Sequence, residues 1–313
     1  MMDNKEKTFV SSVIYVHNAE NRIEEFLTAI IRVMEDNFEH SEVICVNDGS
    51  SDMSAEKIRS VGKTADTTIV SIVNMSYFHG LELAMNAGRD IAIGDFVFEF
   101  DNTDLDFIPG FVMDVYRRSL EGYDIVSASP DIREKPSSRL FYNVFDRFTD
   151  LSYKMTTESF RVLSRRVINR ISSMNKSVPY RKAIYAGSGL KTDNLKYKAD
   201  RKRSRVSDRS EKRYRTGLAM DSLILFTKVG YRFSMVMTFV MMAVSILMVA
   251  YAVITYIVVH PVEGWFTTII FLSFAFFGLF GILTIIIKYL QLIIDMIFKR
   301  KAYSFESVEK ITK

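Results

Sequence analysis

Two long apolar runs near the C-terminus constrain this chain more than any other feature. Residues 233–259 and 265–287 contain no charged side chain. About 20 apolar residues span a bilayer as a helix, so each run is long enough to cross a membrane. Helices buried in a protein core are usually shorter and keep a polar stripe, which makes that interpretation the poorer one. The sequence therefore predicts two transmembrane helices, at 233–259 and 265–290.

The linker between these runs predicts their orientation. Residues 260–264 include neither Lys nor Arg, whereas Lys228, Arg232 and the basic residues at 299–301 flank the pair. So short a linker forces an antiparallel hairpin, and the positive-inside rule places its basic flanks in the cytoplasm. No apolar run follows a basic start at the N-terminus, so no signal peptide is expected. We therefore expect a multi-pass membrane protein with a cytoplasmic N-terminal domain at 1–215 and a basic cytoplasmic tail at 291–313.

The positive charge of the chain is concentrated just before the first apolar run. Residues 196–215 contain ten Lys and Arg against three Asp and Glu, a surplus of seven, while the whole chain carries +4, so the remainder is net acidic (4 − 7 = −3). A basic stretch beside a membrane span typically meets anionic lipid headgroups. Nucleic acid is the poorer partner, because the predicted spans are adjacent. The bilayer is therefore an expected partner, and no nucleic acid is.

Two further segments have the spacing of amphipathic helices. Residues 139–153 place apolar side chains on one helical face beside Arg139 and Arg147, and residues 216–232 repeat the pattern next to the first run. Basic amphipathic helices near a bilayer tend to lie in its surface. For 216–232 we favour a juxtamembrane helix. For 139–153, an interfacial helix and a helix packed on the sheet stay open as alternatives.

The first hundred residues alternate between strand and helix patterns. Apolar runs at 9–16, 42–46, 67–73 and 96–100 predict strands, and the apolar spacing within 21–35, 54–61 and 80–93 predicts helices. This alternation with short linkers indicates an α/β domain with a mostly parallel sheet covered by helices. Ligands bind such sheets beyond the carboxyl ends of the strands, so the segments 17–20, 47–52 and 101–106 are candidate site loops. Cys45 is the single cysteine, which excludes an internal disulfide. It lies in a strand pattern, so we expect it to pack in the core.

Two of these loops contain residues suited to chemistry. Asp101, Asp104 and Asp106 follow an apolar strand, and several carboxylates at a strand end suit a hard cation such as Mg²⁺. Asp and Asn are also common in ordinary turns, which is the alternative for this cluster and for the loop at 47–50. In that loop Asp48 either belongs to a plain turn or is presented to a ligand.

The order of the motifs identifies a family resemblance that covers nearly the whole chain, from about residue 8 to 300. Residues 13–20 and 42–52 resemble the first two strands and loops of family 2 glycosyltransferases, and 94–101 lead into the position of their metal-binding Asp-x-Asp motif. Residues 139–142 and 160–168, together with the hairpin, are similar to the polyprenyl-phosphate branch. That branch includes dolichol-phosphate mannose synthase and the bacterial undecaprenyl-phosphate glucosyl and aminoarabinosyl transferases.

The resemblance implies a GT-A-type (Rossmann-like) domain at the inner membrane that transfers a sugar, with inversion, from a nucleotide-sugar to polyprenyl phosphate. UDP is the expected nucleotide, Mg²⁺ or Mn²⁺ the expected metal, and cell-envelope glycan synthesis the expected use. A homo-oligomer, a tetramer in relatives, is also implied. The residues implied for each role are, for catalysis, Asp104, Glu158 and Arg161; for the nucleotide, Tyr15, His17, Asn18, Glu20, Asp48 and Asp101; for the acceptor phosphate, Arg161, Arg165, Arg166 and Arg209; and for the metal, Asp101, Asp104 and Asp106. For Arg165 and Arg166, a solvated helix face is the alternative.

This chain departs from the family pattern at four places. The acidic motif reads Asp101-Asn102-Thr103-Asp104, so either one residue is inserted or Asn102 stands for the first Asp. Asn47 replaces an Asp, His17 replaces a common Tyr, and Glu158-Ser159 replaces Gly-Asp. These departures leave two hypotheses for the function. One is an active transferase with a shifted acidic set, which we favour; the other is a catalytically impaired membrane-bound homologue that binds nucleotide, lipid or a partner protein.

Overall fold

The computed structural model describes residues 5–131, 157–173, 180–199, 265–298 and 303–312, with isolated positions between 143 and 247. Contacts within the chain divide it into two compact units. The first comprises Met1–Ala219 together with Lys299–Lys313, and the second comprises Met220–Phe298.

The first unit is built from strands and helices that alternate along its N-terminal half. The strands are Val10–Val16 (β1), Ser41–Asn47 (β2), Ile69–Met75 (β3), Phe96–Phe100 (β4), Ile125–Pro130 (β5), Phe160–Ser164 (β6), Thr192–Tyr197 (β7) and Phe305–Lys310 (β8). The helices are Ile23–Asn37 (α1), Ser54–Gly62 (α2), Leu81–Ile91 (α3), Phe111–Leu120 (α4), Arg165–Ser173 (α5) and Arg181–Ala186 (α6). The predicted elements of the first hundred residues are confirmed, with ends that shift by at most two or three residues.

The eight strands of the described residues form one sheet in the order β7-β5-β6-β4-β1-β2-β3-β8. The four central strands pair in parallel, as do β5 and β7. Strand β6 runs antiparallel to both β4 and β5, and β8 runs antiparallel to β3. The predicted α/β class with a parallel central sheet is therefore confirmed, and the antiparallel strands lie outside that centre.

Apolar side chains fill both faces of the sheet. One core cluster joins the strands to α1, α2 and α4, and the other joins them to α3, α5 and α6. Helix α1 shows why the sequence folds this way: its apolar residues recur every three or four positions and are buried, while Glu24 and Glu25 lie in its first turn, where negative charge suits the helix dipole. The sheet is thus a rigid middle layer that sets the positions of the loops at its edges.

The C-terminal strand β8 was not expected from the sequence, which was interpreted as a basic tail at 291–313. Its side chains are exposed, so it lacks the apolar alternation that marks a half-buried strand. It is held instead by backbone pairing with β3, from Ser71 opposite Lys310 to Met75 opposite Phe305. The outer strand of the sheet on this side is therefore more than 200 residues away in sequence from β3, the strand with which it pairs.

The second unit contains helix α7, Trp265–Phe298. In the part of the chain that the structure describes, no helix has both the length and the apolar character needed to cross a bilayer. The predicted span at 265–290 lies within α7 and is therefore not supported. The predicted span at 233–259, apart from isolated positions, and the predicted amphipathic helices at 139–153 and 216–232 lie outside the described residues.

Cys45 lies in the core, as the sequence predicted. It is fully buried in β2, and burial raises the pKa of its thiol to about 12. We expect no reaction of the native protein with the thiol reagent DTNB at pH 8, because neither access nor thiolate is available. In concentrated guanidinium chloride the single thiol should react fully. Rapid labelling of the native protein would contradict this placement.

Candidate active site

The carboxyl ends of β1, β2, β3 and β4 meet at one edge of the sheet, because these four strands are parallel neighbours. We call this the site edge. The loops that follow the four strands begin at His17, Asp48, Ser76 and Asp101. Strand β6 starts at the same edge, because Phe160 pairs with Phe100 at the end of β4. All three loops that the sequence singled out therefore lie together.

Asp48 organises the loop that follows β3. Its carboxylate is fully buried and accepts hydrogen bonds from the backbone N–H groups of His79 (2.7 Å) and Gly80 (2.8 Å) and from the Tyr15 hydroxyl (3.1 Å). Burial raises the pKa of Asp48, and these hydrogen bonds act in the opposite direction. The sequence predicted that Asp48 contacts the nucleotide directly. In the structure its carboxylate fixes residues 76–80, which we call the donor loop, and its contact with the nucleotide stays a prediction.

The loops after β1 and β2 are joined through Asn18. Its backbone has a positive φ of 46°, a conformation that Asn adopts more readily than most residues. Its side-chain oxygen accepts a hydrogen bond from Ser51 N–H (3.0 Å), and its own N–H donates to the Ser50 hydroxyl (3.1 Å). Gly49 also has a positive φ, and a Cβ there would lie 2.9 Å from the backbone nitrogen of Phe78. A side chain at position 49 would therefore clash with the segment at Phe78, and glycine is what allows the loops to pack this closely.

The other predicted nucleotide residues of these loops also lie at the site edge. The His17 ring nitrogen Nδ1 is 2.7 Å from the Asp48 carbonyl oxygen, and the His17 ring packs on Phe78 at 4.6 Å. The Glu20 carboxylate accepts a hydrogen bond from the backbone N–H of Met53 (3.2 Å). The structure thus brings these residues together, while their roles toward a nucleotide stay predictions.

Beside these loops lies a buried network of charges, which we call the ion cluster: Glu82, Glu99, Asp101, Arg161 and Arg181. Arg161 donates to Glu99 and Asp101, each at 2.7 Å. Arg181 donates to Glu82 (2.9 Å) and Asp101 (2.8 Å), and its Nη1 atom lies 2.8 Å from Glu99 Oε2. The five residues come from β4 and the loop that follows it, from β6, and from α3 and α6, so the cluster joins four elements of the fold.

The ion cluster keeps its carboxylates charged despite their burial. Burial alone would raise the pKa of Asp101, but the guanidinium groups of Arg161 and Arg181 outweigh it and hold that pKa well below its usual range. The same two groups lower the pKa of Glu99 against the effect of burial. Removing one partner from such a network leaves an uncompensated buried charge, which is strongly destabilising.

The predicted metal ligands do not fit a cation as they are arranged. Each carboxylate oxygen of Asp101 accepts a hydrogen bond from an arginine. Asp104 accepts a hydrogen bond from Arg22 (2.5 Å), and Asp106 accepts one from the Tyr197 hydroxyl (2.8 Å). Among the described residues, no group of three or more His, Cys, Asp or Glu side chains could hold a metal ion. The expected Mg²⁺ or Mn²⁺ site is therefore not supported by the donor set, and we derive no step through a metal.

Two residues predicted for catalysis, Glu158 and Arg161, contact each other. Arg161 Nε donates to the Glu158 carboxylate at 3.1 Å, and the Glu158 side chain is almost buried. The sequence also assigned Arg161 to the acceptor phosphate. In the structure the side chain is fully buried and its nitrogens face the carboxylates of Glu99, Asp101 and Glu158. Its contact with an acceptor phosphate stays a prediction.

Arg165 and Arg166 lie at the opposite edge of the sheet. They follow the end of β6, which pairs antiparallel with β4 so that Ser164 faces Phe96, the first residue of β4. Arg165 donates to the backbone carbonyl groups of Ala92 (3.0 Å) and Gly94 (2.9 Å), and Arg166 is largely exposed. The structure therefore does not bring them to Asp101, since β6 runs in the opposite direction, and their contact with an acceptor phosphate stays a prediction. Arg209 lies outside the described residues.

The sequence analysis missed Glu82, Glu99 and Arg181. Glu99 carried a signal: it is an acidic residue within the apolar strand Phe96–Phe100, and a charge there needs a buried partner. Glu82 and Arg181 carried no comparable signal. The two residues are 99 positions apart in sequence and pair with each other only because α6 returns to α3.

The ion cluster predicts a loss of stability in acid. Asp101 and Glu99 have lowered pKa values, so their contribution is present above the usual carboxyl range, about pH 4, and is lost as the pH falls below it. Asp48 and Asp106 have raised pKa values and act in the opposite direction above pH 4. We expect the unfolding temperature to stay level or rise slightly from pH 7 to about 4 and then fall steeply. The surface variant Asp114→Asn should follow the same curve, and a flat profile below pH 4 would contradict the cluster's charges.

Comparisons with known proteins identify similar sequences and structures. The sequence profile of glycosyl transferase family 2 matches residues 11–174. An uncharacterised glycosyltransferase of Synechocystis sp. is 30% identical over 188 residues, which are 58% of this chain and 58% of that protein. An undecaprenyl-phosphate 4-deoxy-4-formamido-L-arabinose transferase of Edwardsiella ictaluri is 31% identical over 158 residues, 49% of this chain and 48% of that protein.

Among solved structures, mannosyl-3-phosphoglycerate synthase from Rubrobacter xylanophilus aligns with a TM-score of 0.49 and 18% identity, over 69% of this chain and 74% of that one. The chain thus spans about half to three fifths of the length of the two sequence relatives. The family match itself covers more than half of the chain, from the start of β1 through α5. This protein therefore belongs to glycosyl transferase family 2.

Proposed function

We propose that this protein transfers a sugar from a UDP-linked donor to polyprenyl phosphate. The observation that carries the proposal is the site edge, where Asp48, Asn18 and their hydrogen bonds join the loops after β1, β2 and β3 within the segment that matches the family. A relative named as an undecaprenyl-phosphate transferase supports this acceptor class.

In the proposed reaction, a phosphate oxygen of the acceptor attacks the anomeric carbon of the sugar. The bond from that carbon to the diphosphate breaks, its electron pair leaves with the nucleoside diphosphate, and the configuration inverts. The acceptor phosphate is already anionic at neutral pH, so it needs placement more than deprotonation. Arg22 supports the departure of the diphosphate, because it is a partly exposed guanidinium near the site edge, paired with Asp104.

The proposed location is the cytoplasmic face of the inner membrane. The uncharged run at 233–259 supports attachment to a membrane, and the basic stretch 196–215 supports contact with anionic lipid. Cell-envelope glycan synthesis and a homo-oligomeric, tetrameric assembly belong to the same proposal. A lipid acceptor requires the catalytic domain to work at the bilayer surface.

A transfer assay with membranes that contain the full chain tests the proposal. Undecaprenyl phosphate serves as acceptor, with radiolabelled UDP-sugars and GDP-sugars as donors, each with and without EDTA. A labelled product that extracts into organic solvent is expected from at least one UDP-sugar. Membranes from the same host without the protein serve as the control. No product from any donor, while UDP still binds in calorimetry, would overturn the transfer step.

The arrangement of the acidic motif favours one second candidate, a homologue that binds nucleotide, lipid or a partner protein without transferring sugar. Asp101 is held by two arginines, and this carboxylate was the predicted start of the metal site. The assay separates the two functions. A product that persists in EDTA would support transfer with the ion cluster intact, whereas UDP binding without product would support the second candidate.

A further inference from the structure

The C-terminal strand β8 lies against the one strand that leads directly into the donor loop. It pairs antiparallel with β3, and the pairing shifts register between Asn74 and Met75, where the donor loop is about to begin. The segment just before β8, Tyr303 and Ser304, continues past the end of β3 to the donor loop itself. The strand is fully exposed on its outer surface, so its position depends on backbone pairing and on a few side-chain contacts.

Ser304 contacts both ends of the donor loop through its backbone. Its carbonyl oxygen accepts a hydrogen bond from Ser76 N–H (3.2 Å), and its own N–H donates to His79 Nε2 (3.2 Å). The second contact determines the tautomer of His79. Because Nε2 accepts, the ring proton lies on Nδ1, which donates to the Tyr77 carbonyl oxygen at 2.6 Å. The buried His79 ring also stacks on Tyr77 at 4.0 Å.

The same histidine is held from the other side by Asp48. The backbone N–H groups of His79 and Gly80 donate to the Asp48 carboxylate. Tyr303 adds a further contact, because its hydroxyl donates to Asp90 of α3 at 2.6 Å. Ser304, His79 and Asp48 therefore form a continuous chain of hydrogen bonds from the sheet's outer strand to the centre of the site edge.

We infer that Tyr303 and Ser304, which β8 holds at the end of β3, are a positioning element for the nucleotide donor that keeps the donor loop in its binding arrangement. The inference rests on the proposed function. An exposed edge strand contributes few apolar contacts, so its release changes global stability little. Its release would however leave one side of His79 without its partner. When the binding arrangement is only partly populated, the apparent dissociation constant rises in proportion.

The variant Ser304→Pro in the full-length chain tests this inference. Proline has no N–H, so the contact with His79 is lost while the carbonyl that accepts from Ser76 is kept. We expect the Kd for UDP, measured by calorimetry, and the KM for the donor to rise about fivefold to tenfold, as the loss of one hydrogen bond implies. The kcat, the KM for the acceptor and the unfolding temperature should change little, and a purely structural role would not produce this split.

The control is Ser307→Ala, which removes a side-chain contact with Asn74 (3.0 Å) from the same strand and leaves the donor loop untouched. It should bind UDP as the wild type does. If Ser304→Pro does not fold, Tyr303→Phe replaces it and should weaken UDP binding relative to Ser307→Ala. Equal UDP affinity in wild type and folded variants would overturn this inference alone. A wild-type protein that binds neither UDP nor GDP would overturn the proposed function as well.

Discussion

Replacing Arg161 with Met should lower the unfolding free energy of the first unit by about 3–5 kcal/mol, the cost of breaking a buried ion pair. Arg161 is fully buried and contacts Glu99, Asp101 and Glu158. Methionine fills part of the same space but leaves these carboxylates with less compensating charge. Pulse proteolysis of the full chain across a urea series measures the change, since it follows unfolding of this unit without requiring a single transition for the chain.

Arg166→Met is the matched control for this prediction. Arg166 is five positions further along the chain, its side chain is 72% exposed, and it lies 3.7 Å from Asp124. Exposed ion pairs contribute little to stability, so this variant should unfold close to the wild type. Similar urea midpoints for Arg161→Met and Arg166→Met would show that the ion cluster does not stabilise the fold.

Replacing Asp48 with Asn should weaken nucleotide binding roughly 10- to 100-fold, with transfer falling in parallel. Asparagine offers one acceptor oxygen where the carboxylate offered two, and its NH₂ group would face either the backbone N–H of His79 or that of Gly80. Hydrogen bonds to a charged group contribute about 1.5–3 kcal/mol, which corresponds to this range of affinity. Calorimetry with UDP measures it directly.

The control for Asp48→Asn is the same chemical change at Asp114, an exposed residue of α4 that pairs with Arg117 at the surface. Asp114→Asn should bind UDP and transfer sugar as the wild type does. An Asp48→Asn variant with unchanged UDP affinity would show that the arrangement of the donor loop does not control nucleotide binding.

Arg161 illustrates how a residue can be recognised in the sequence while its partners within the fold are not. The resemblance singled it out, and an arginine suits a phosphate as well as a carboxylate. The choice between them depends on burial and on the residues opposite it in the sheet. Glu99 lies directly opposite Arg161 in the pairing of β4 with β6, and no local pattern reports that pairing.

The sequence by itself determined the first half of the fold and the location of the site. The periods of apolar residues gave β1 to β4 and α1 to α3, because burial of one face is a local property of each element. Parallel strands then require that the loops at His17, Asp48 and Asp101 meet at one edge. The motifs in those loops were sufficient to indicate the family.

Only the tertiary structure decided which charges pair and which edge each later residue occupies. The antiparallel direction of β6 moves Arg165 away from Asp101, and the return of α6 brings Arg181 to Glu82. The addition of β8 connects Ser304 to His79 across 225 positions. These contacts depend on strand direction and on chain reversal over long separations. The local spacing of apolar residues predicts neither strand direction nor chain reversal, because the same spacing is compatible with both directions and with any partner strand.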